Sequence, residues 1–181
     1  MLSVFYTQTL EDGNMPIGVK IIYSQVIFRA VVCDGQSFDT DGEFDLSLVK
    51  EFEDDWCHIG WVRNQQIARD LGITRMTVYN AKRWLEEYDL IRGDRIYIPE
   101  GFFDRFFELQ TETGLTGWPL VVYSYIYNKN RKYRYVDSYR TKIAKELHVG
   151  ENHLSLIIGD LIRGGWIIKE RNWKNWKLRC R

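Results

Sequence analysis

The chain has 181 residues, 45% of them apolar, with 25 Lys/Arg balanced by 25 Asp/Glu. That length suits one ordinary domain or two small ones, with apolar residues enough for a packed core. No apolar run reaches the roughly 18 residues a membrane span needs, and the start MLSVFYTQTLEDGN lacks the basic-then-apolar pattern of a secretion signal. Cys33, Cys57 and Cys180 are odd in number and far apart, which argues against a disulfide framework. A cytoplasmic protein with no membrane partner is the expectation.

The zero net charge hides a gradient. Residues 1–60 hold 3 Lys/Arg against 11 Asp/Glu, residues 61–119 hold 8 against 9, and residues 120–181 hold 14 against 5. Such polarity suits a chain with one end that meets an anion and another that avoids it.

The first half of the sequence predicts helix, short strand, helix, turn, helix and two strands. Residues 18–32 form a first helix, and an acidic insertion occupies 33–56. HIGWV at 58–62 is a short strand. A second helix at 65–71 turns Ile67, Ala68 and Leu71 inward. Gly72 supplies the positive φ of a sharp turn, and Thr74 caps the helix that follows. That third helix, 75–88, buries Val78, Ala81, Leu85 and the stem of Lys82. Residues 90–99 are two strands around a turn at 93–94. GFFDRFFELQTETG, 101–114, puts Phe102, Phe103, Phe106 and Phe107 on one helical face and reads as a linker helix.

The remainder repeats the first part. IIYSQVI at 21–27 matches VVYSYIY at 121–127, an offset of 100. QQIARDLGITRMTVYNAKRWLEEYDLI at 65–91 aligns without a gap on TKIAKELHVGENHLSLIIGDLIRGGWI at 141–167, an offset of 76. In that alignment His148 replaces Gly72, Gly165 replaces Asp89, and RYVDS at 134–138 answers HIGWV. The longer first copy carries its extra residues in the acidic insertion, as a surface loop tolerates.

The residues IARDLGITRMTVYNAKRWLEEYDLI resemble the winged helix-turn-helix domains of bacterial DNA-binding proteins. The resemblance spans about 17–99 and, more weakly, 118–181. It implies an α+β, mainly helical fold of two tandem winged helix-turn-helix domains joined by a linker helix. Domain 1 would cover 15–100 with its insertion at 33–56, the linker 101–115, and domain 2 with a basic wing 116–181. The tandem arrangement, with MPIGVKIIYSQVI leading into the first helix-turn-helix, looks like plasmid and phage replication initiators; transcription regulators fit as well. The implied partner is double-stranded DNA, with no enzymatic activity, no cofactor and no small-molecule substrate, and with a homodimer left open.

If the third helix of copy one enters a major groove, Arg75, Met76, Thr77, Tyr79 and Asn80 face the bases. Arg suits guanine, Asn suits adenine, and Met or Thr suits a thymine methyl. Arg63, Gln65, Arg69 and Arg83 are then candidates for phosphate. In copy two the aligned positions carry Glu151, Asn152, His153, Ser155, Leu156 and Gly159, a poor set for a polyanion. Its basic segments supply Arg140, Lys142, Lys169, Arg171, Lys174, Lys177 and Arg179 as further phosphate candidates, with Trp173 and Trp176 among them. Reading by copy one and gripping by copy two is the expected division. The rival is a protein–protein module on the same scaffold, which Leu156 would serve. No phosphate-binding glycine loop or paired-histidine motif occurs. SFDTDGEFD at 37–45 places Asp39, Asp41 and Gly42 as a calcium loop would, but Leu48 stands where the closing Glu belongs.

Overall fold

The structure, a computed structural model, describes residues 3–6, 15–31, 55–99, 102, 106–133, 136–137, 140–171 and 176–181. These residues form six α-helices and three small antiparallel sheets, an α+β architecture. The first half runs β1 (Val4–Tyr6), α1 (Ile17–Val31), β2 (Trp56–His58), α2 (Asn64–Leu71), α3 (Arg75–Glu87), β3 (Ile91–Arg92) and β4 (Arg95–Tyr97). The second half runs β5 (Phe106–Glu108), α4 (Gly117–Tyr133), β6 (Val136–Asp137), α5 (Arg140–Leu147), α6 (Glu151–Arg163), β7 (Ile167–Arg171) and β8 (Trp176–Cys180), in the same order of types. The acidic insertion lies outside the described residues, apart from Asp55 and Trp56 at its end.

The repeat extends to lengths and turns. α2 and α5 each have 8 residues, and α3 and α6 each have 13. The strand order is β2-β4-β3 in one half and β6-β8-β7 in the other. Gly72 has φ 64° and its counterpart His148 has φ 51°; Asp89 has φ 59° and its counterpart Gly165 has φ 74°. Glycine therefore occupies each left-handed corner once and an L-residue once. Each corner is closed by a backbone bond spanning five residues: Ile73 N–H to Ala68 at 2.9 Å, Val149 to Ala144 at 3.0 Å, Leu90 to Leu85 at 2.8 Å and Trp166 to Leu161 at 2.9 Å. This is the bond that satisfies an orphan carbonyl where a helix ends in a left-handed residue.

The halves meet across a local two-fold relationship. β1 pairs antiparallel with β5, Phe5 opposite Phe107, with Val4 opposite Glu108 and Tyr6 opposite Phe106. Interchanging the strands about the Phe5–Phe107 pair reproduces the same register, as an isologous contact does. α1 touches α4 behind this ribbon, with the side chain of Ile17 beside Gly117, its own counterpart. α1 is buried on nearly every side because α3, β1 and α4 all pack on it, which explains its lack of a polar face. Two of its interior polar side chains bond β1: Ser24 Oγ accepts from Tyr6 N–H at 3.1 Å, and Gln25 Oε1 accepts from Val4 N–H at 3.0 Å. One continuous core runs through both halves.

Two expectations are corrected. Phe106–Glu108 is a strand rather than part of a linker helix over 101–115, followed by a 3-10 turn, Thr111–Thr113, that stops at Gly114 with φ 73°. Phenylalanines at 102, 103, 106 and 107 suit either period. The partner strand β1 decides for extension, setting Phe107 against Phe5 with ring centroids 5.6 Å apart and the rings tilted by 51°. The strand expected at 58–62 lies at Trp56–His58, because Ile59 to Val62 closes into a turn through a 2.9 Å backbone bond. Among the described residues no helix is long and apolar enough to cross a membrane.

Candidate nucleic-acid interface

The candidate face is built on α3. Thr74 Oγ1 accepts the Thr77 N–H at 3.1 Å, so the start of α3 is capped by a side chain. Val78, Ala81 and Leu85 are buried and hold one side of the helix to the core. The opposite side is exposed and carries Arg75, Met76, Thr77, Tyr79, Asn80 and Arg83. Met76 is 64% exposed and Tyr79 50%. Lys82 lies between the two sides: its Nζ donates to the Val62 carbonyl at 3.2 Å, and burial lowers its pKa, with Glu86 opposing.

Around this helix Arg63, Gln65 and Arg69 are exposed on and just before α2. Arg83 lies 3.6 Å from Glu87, a surface pair that competes weakly with any other anion. Trp61, not anticipated in the sequence, is 52% exposed in the turn that leads into α2. A large aromatic two residues ahead of a cation was the available signal, hidden by assigning Trp61 to a strand.

Arg92 and Asp94 of the β3–β4 hairpin are each held by an oppositely charged or polar neighbour. The Arg92 guanidinium binds Asp89, Nε to Oδ1 at 2.6 Å, holding that carboxyl below its usual range, and lies 4.5 Å from the Trp56 ring centre. His58 Nδ1 is 3.1 Å from the Asp94 carboxylate.

The second half differs on both elements. α6 has the same buried side, Leu154, Ile157, Ile158 and Leu161. Its start has Gly150 in the capping place, with no side-chain bond. Its outer side presents Glu151, Asn152, His153 and a 67% exposed Leu156. Its hairpin strands have five residues each, against two and three in the first half. The register puts Lys169 and Arg171 on the same sheet face as buried Ile167 and Leu178, yet both are exposed. Lys177 and Arg179 share the outer face with Glu170, which holds Arg179 at 3.0 Å. Arg140 and Lys142 are exposed in the first turn of α5. Lys174 and Trp173 lie outside the described residues.

The described cations expected to act together thus lie on separate elements, on and beside α2 and α3 in the first half and on α5 and the β7–β8 hairpin in the second. Both α2 and α5 are held to the leading helix of their half by the same device. Arg29 and Gln25 bind Asp70, with Arg29 Nε to Oδ2 at 2.6 Å and Gln25 Nε2 to Oδ2 at 3.3 Å. At the equivalent places Lys129 lies 3.5 Å from Glu146 and Tyr125 donates its hydroxyl to Glu146 at 2.6 Å. No protein-family model, no curated protein and no solved structure matches the chain.

Proposed function

We propose that the chain is a non-enzymatic double-stranded DNA-binding protein made of two winged helix-turn-helix units. In this reading α3 lies in a major groove and α6 does not. Arg75 and Asn80 hydrogen-bond base edges, while Arg63, Gln65, Arg69 and Arg83 meet the flanking phosphates. The second hairpin and the start of α5 add sequence-independent affinity through Lys169, Arg171, Lys174, Lys177, Arg179, Arg140 and Lys142. The observation that carries the reading is the exposed side of α3. It combines two arginines, an asparagine and two large apolar side chains on a capped helix whose other side is fixed to the core. Initiation of replication and regulation of transcription both fit such a protein; binding at repeated origin sites or at a promoter separates them.

The test is fluorescence anisotropy of a labelled random-core duplex at about 50 and 200 mM salt. Binding that weakens steeply with salt is expected. No measurable binding at the lower salt removes the reading.

A second reading, a protein–protein module, draws on Leu156 at 67% exposure and on Glu151 standing where α3 has Arg75. On this reading the chain binds no duplex at the lower salt, and Leu156→Glu should abolish its association with a protein partner.

A further inference from the structure

Large apolar side chains are costly to leave in water on a helix whose other side already fills the core, and two such side chains stand one turn apart on α3. Met76 is its second residue, 64% exposed, and Tyr79 follows at 50%. Between them Thr77 has its hydroxyl engaged, Oγ1 lying 2.8 Å from Thr74 Oγ1. Its remaining outward chemistry is a methyl group. Arg75 and Asn80 flank this apolar strip in sequence. α6 carries Asn152 and Ser155 at the two equivalent positions, so the strip is not a requirement of the scaffold.

We propose that Met76 and Tyr79 read the C5-methyl group of a thymine, so that the preferred duplex contains a methyl-dependent T·A pair beside the pairs read by Arg75 and Asn80. This rests on the DNA reading above. The major-groove edge of thymine offers one hydrogen-bond acceptor and one methyl, and the methyl is the only alkyl group any of the four bases presents there. A flexible thioether adapts to such a small convex target. An apolar strip beside a guanidinium and a carboxamide matches a groove edge in which apolar and hydrogen-bonding groups alternate.

The experiment uses the full chain and a duplex enriched from a random-core pool. Each thymine is replaced in turn by deoxyuridine, which removes the methyl and nothing else. At one or two positions the affinity should fall about four-fold, the worth of one buried methyl group. With Met76→Ala or Tyr79→Ala the same replacement should change affinity less than about two-fold at the position that residue reads, while Met76→Leu keeps the discrimination. A duplex that binds tightly but is indifferent to every deoxyuridine overturns the proposal and leaves DNA binding intact. A methyl effect that survives both alanine variants also overturns it. A chain that enriches no duplex overturns this proposal together with the reading beneath it.

Discussion

The Arg29 guanidinium closes on the Asp70 carboxylate where α1 meets the end of α2, Nε to Oδ2 at 2.6 Å. The Asp70 side chain is 3% exposed and that of Arg29 13%, so each ion depends on the other. The Asp70 main-chain carbonyl also accepts from Ser3 Oγ at 3.2 Å, linking the pair to the start of β1. The second half places Lys129 and Glu146 in the same relation, but there both partners are more than one-third exposed or close to it.

Burial sets the consequence of breaking each pair. Asp70→Ala leaves Arg29 desolvated and should cost about 3–5 kcal/mol. Lys129→Ala removes an ion that water already reaches and should cost about 1 kcal/mol or less. Urea unfolding of the two variants measures both; equal losses would mean that burial does not govern these pairs.

The left-handed corners make a paired prediction. Gly72→Ala forces a Cβ into φ 64° and should destabilise by about 1 kcal/mol, although open space surrounds the position. His148→Gly relieves the same geometry at φ 51° and should stabilise by about 0.5–1 kcal/mol, less whatever contact the imidazole gives up. Thermal midpoints moving in opposite directions are expected.

Lys20 is buried on α1, its ammonium 5.2 Å from the Phe5 ring centre, where the second half has Leu120. Burial lowers its pKa from the usual 10.5 to about 8. Between those values the unfolded chain holds a proton that the folded chain has released, so this group's contribution to stability rises with pH from about 8 to 10.5. Below pH 8 the penalty is at its full size, about 3 kcal/mol. Lys20→Leu should therefore stabilise the chain at pH 7, with the gain shrinking towards pH 10. An equal gain at both pH values would show that the lysine is not charged at the cost of folding.

The two cation groups should separate specificity from affinity. Arg75→Ala should lose about 1–3 kcal/mol on the preferred duplex and little on others. Lys169→Ala with Arg171→Ala should weaken all duplexes alike and lower the salt slope by about 2. Glu170→Gln releases Arg179 from its 3.0 Å partner and should raise that slope by about 1. Salt titrations of the variants decide each; an unchanged slope for the double variant would take the second hairpin off the phosphate backbone.

The corners at Gly72 and His148, the Thr74 cap and the buried stripe of α3 were legible in the sequence, because each is local. A left-handed corner and a helical stripe depend on residues within a turn or two of one another. The 100- and 76-residue offsets carry the equivalence of the halves without any knowledge of their contacts. The outward set from Arg75 to Arg83 followed from the stripe alone, since fixing one side of a helix exposes the other. The remaining features depend on partners far away in the chain. β1 and β5 are extended because they have each other, and Phe106 and Phe107, which suit a helix, become part of a two-stranded ribbon. Asp70 and Glu146 gain their partners from a helix some 40 or 20 residues earlier, a spacing no local pattern records. The internal neutralisation of Arg92 and Arg179 likewise required coordinates, because charge counted along a chain does not say which cations already have an anion beside them.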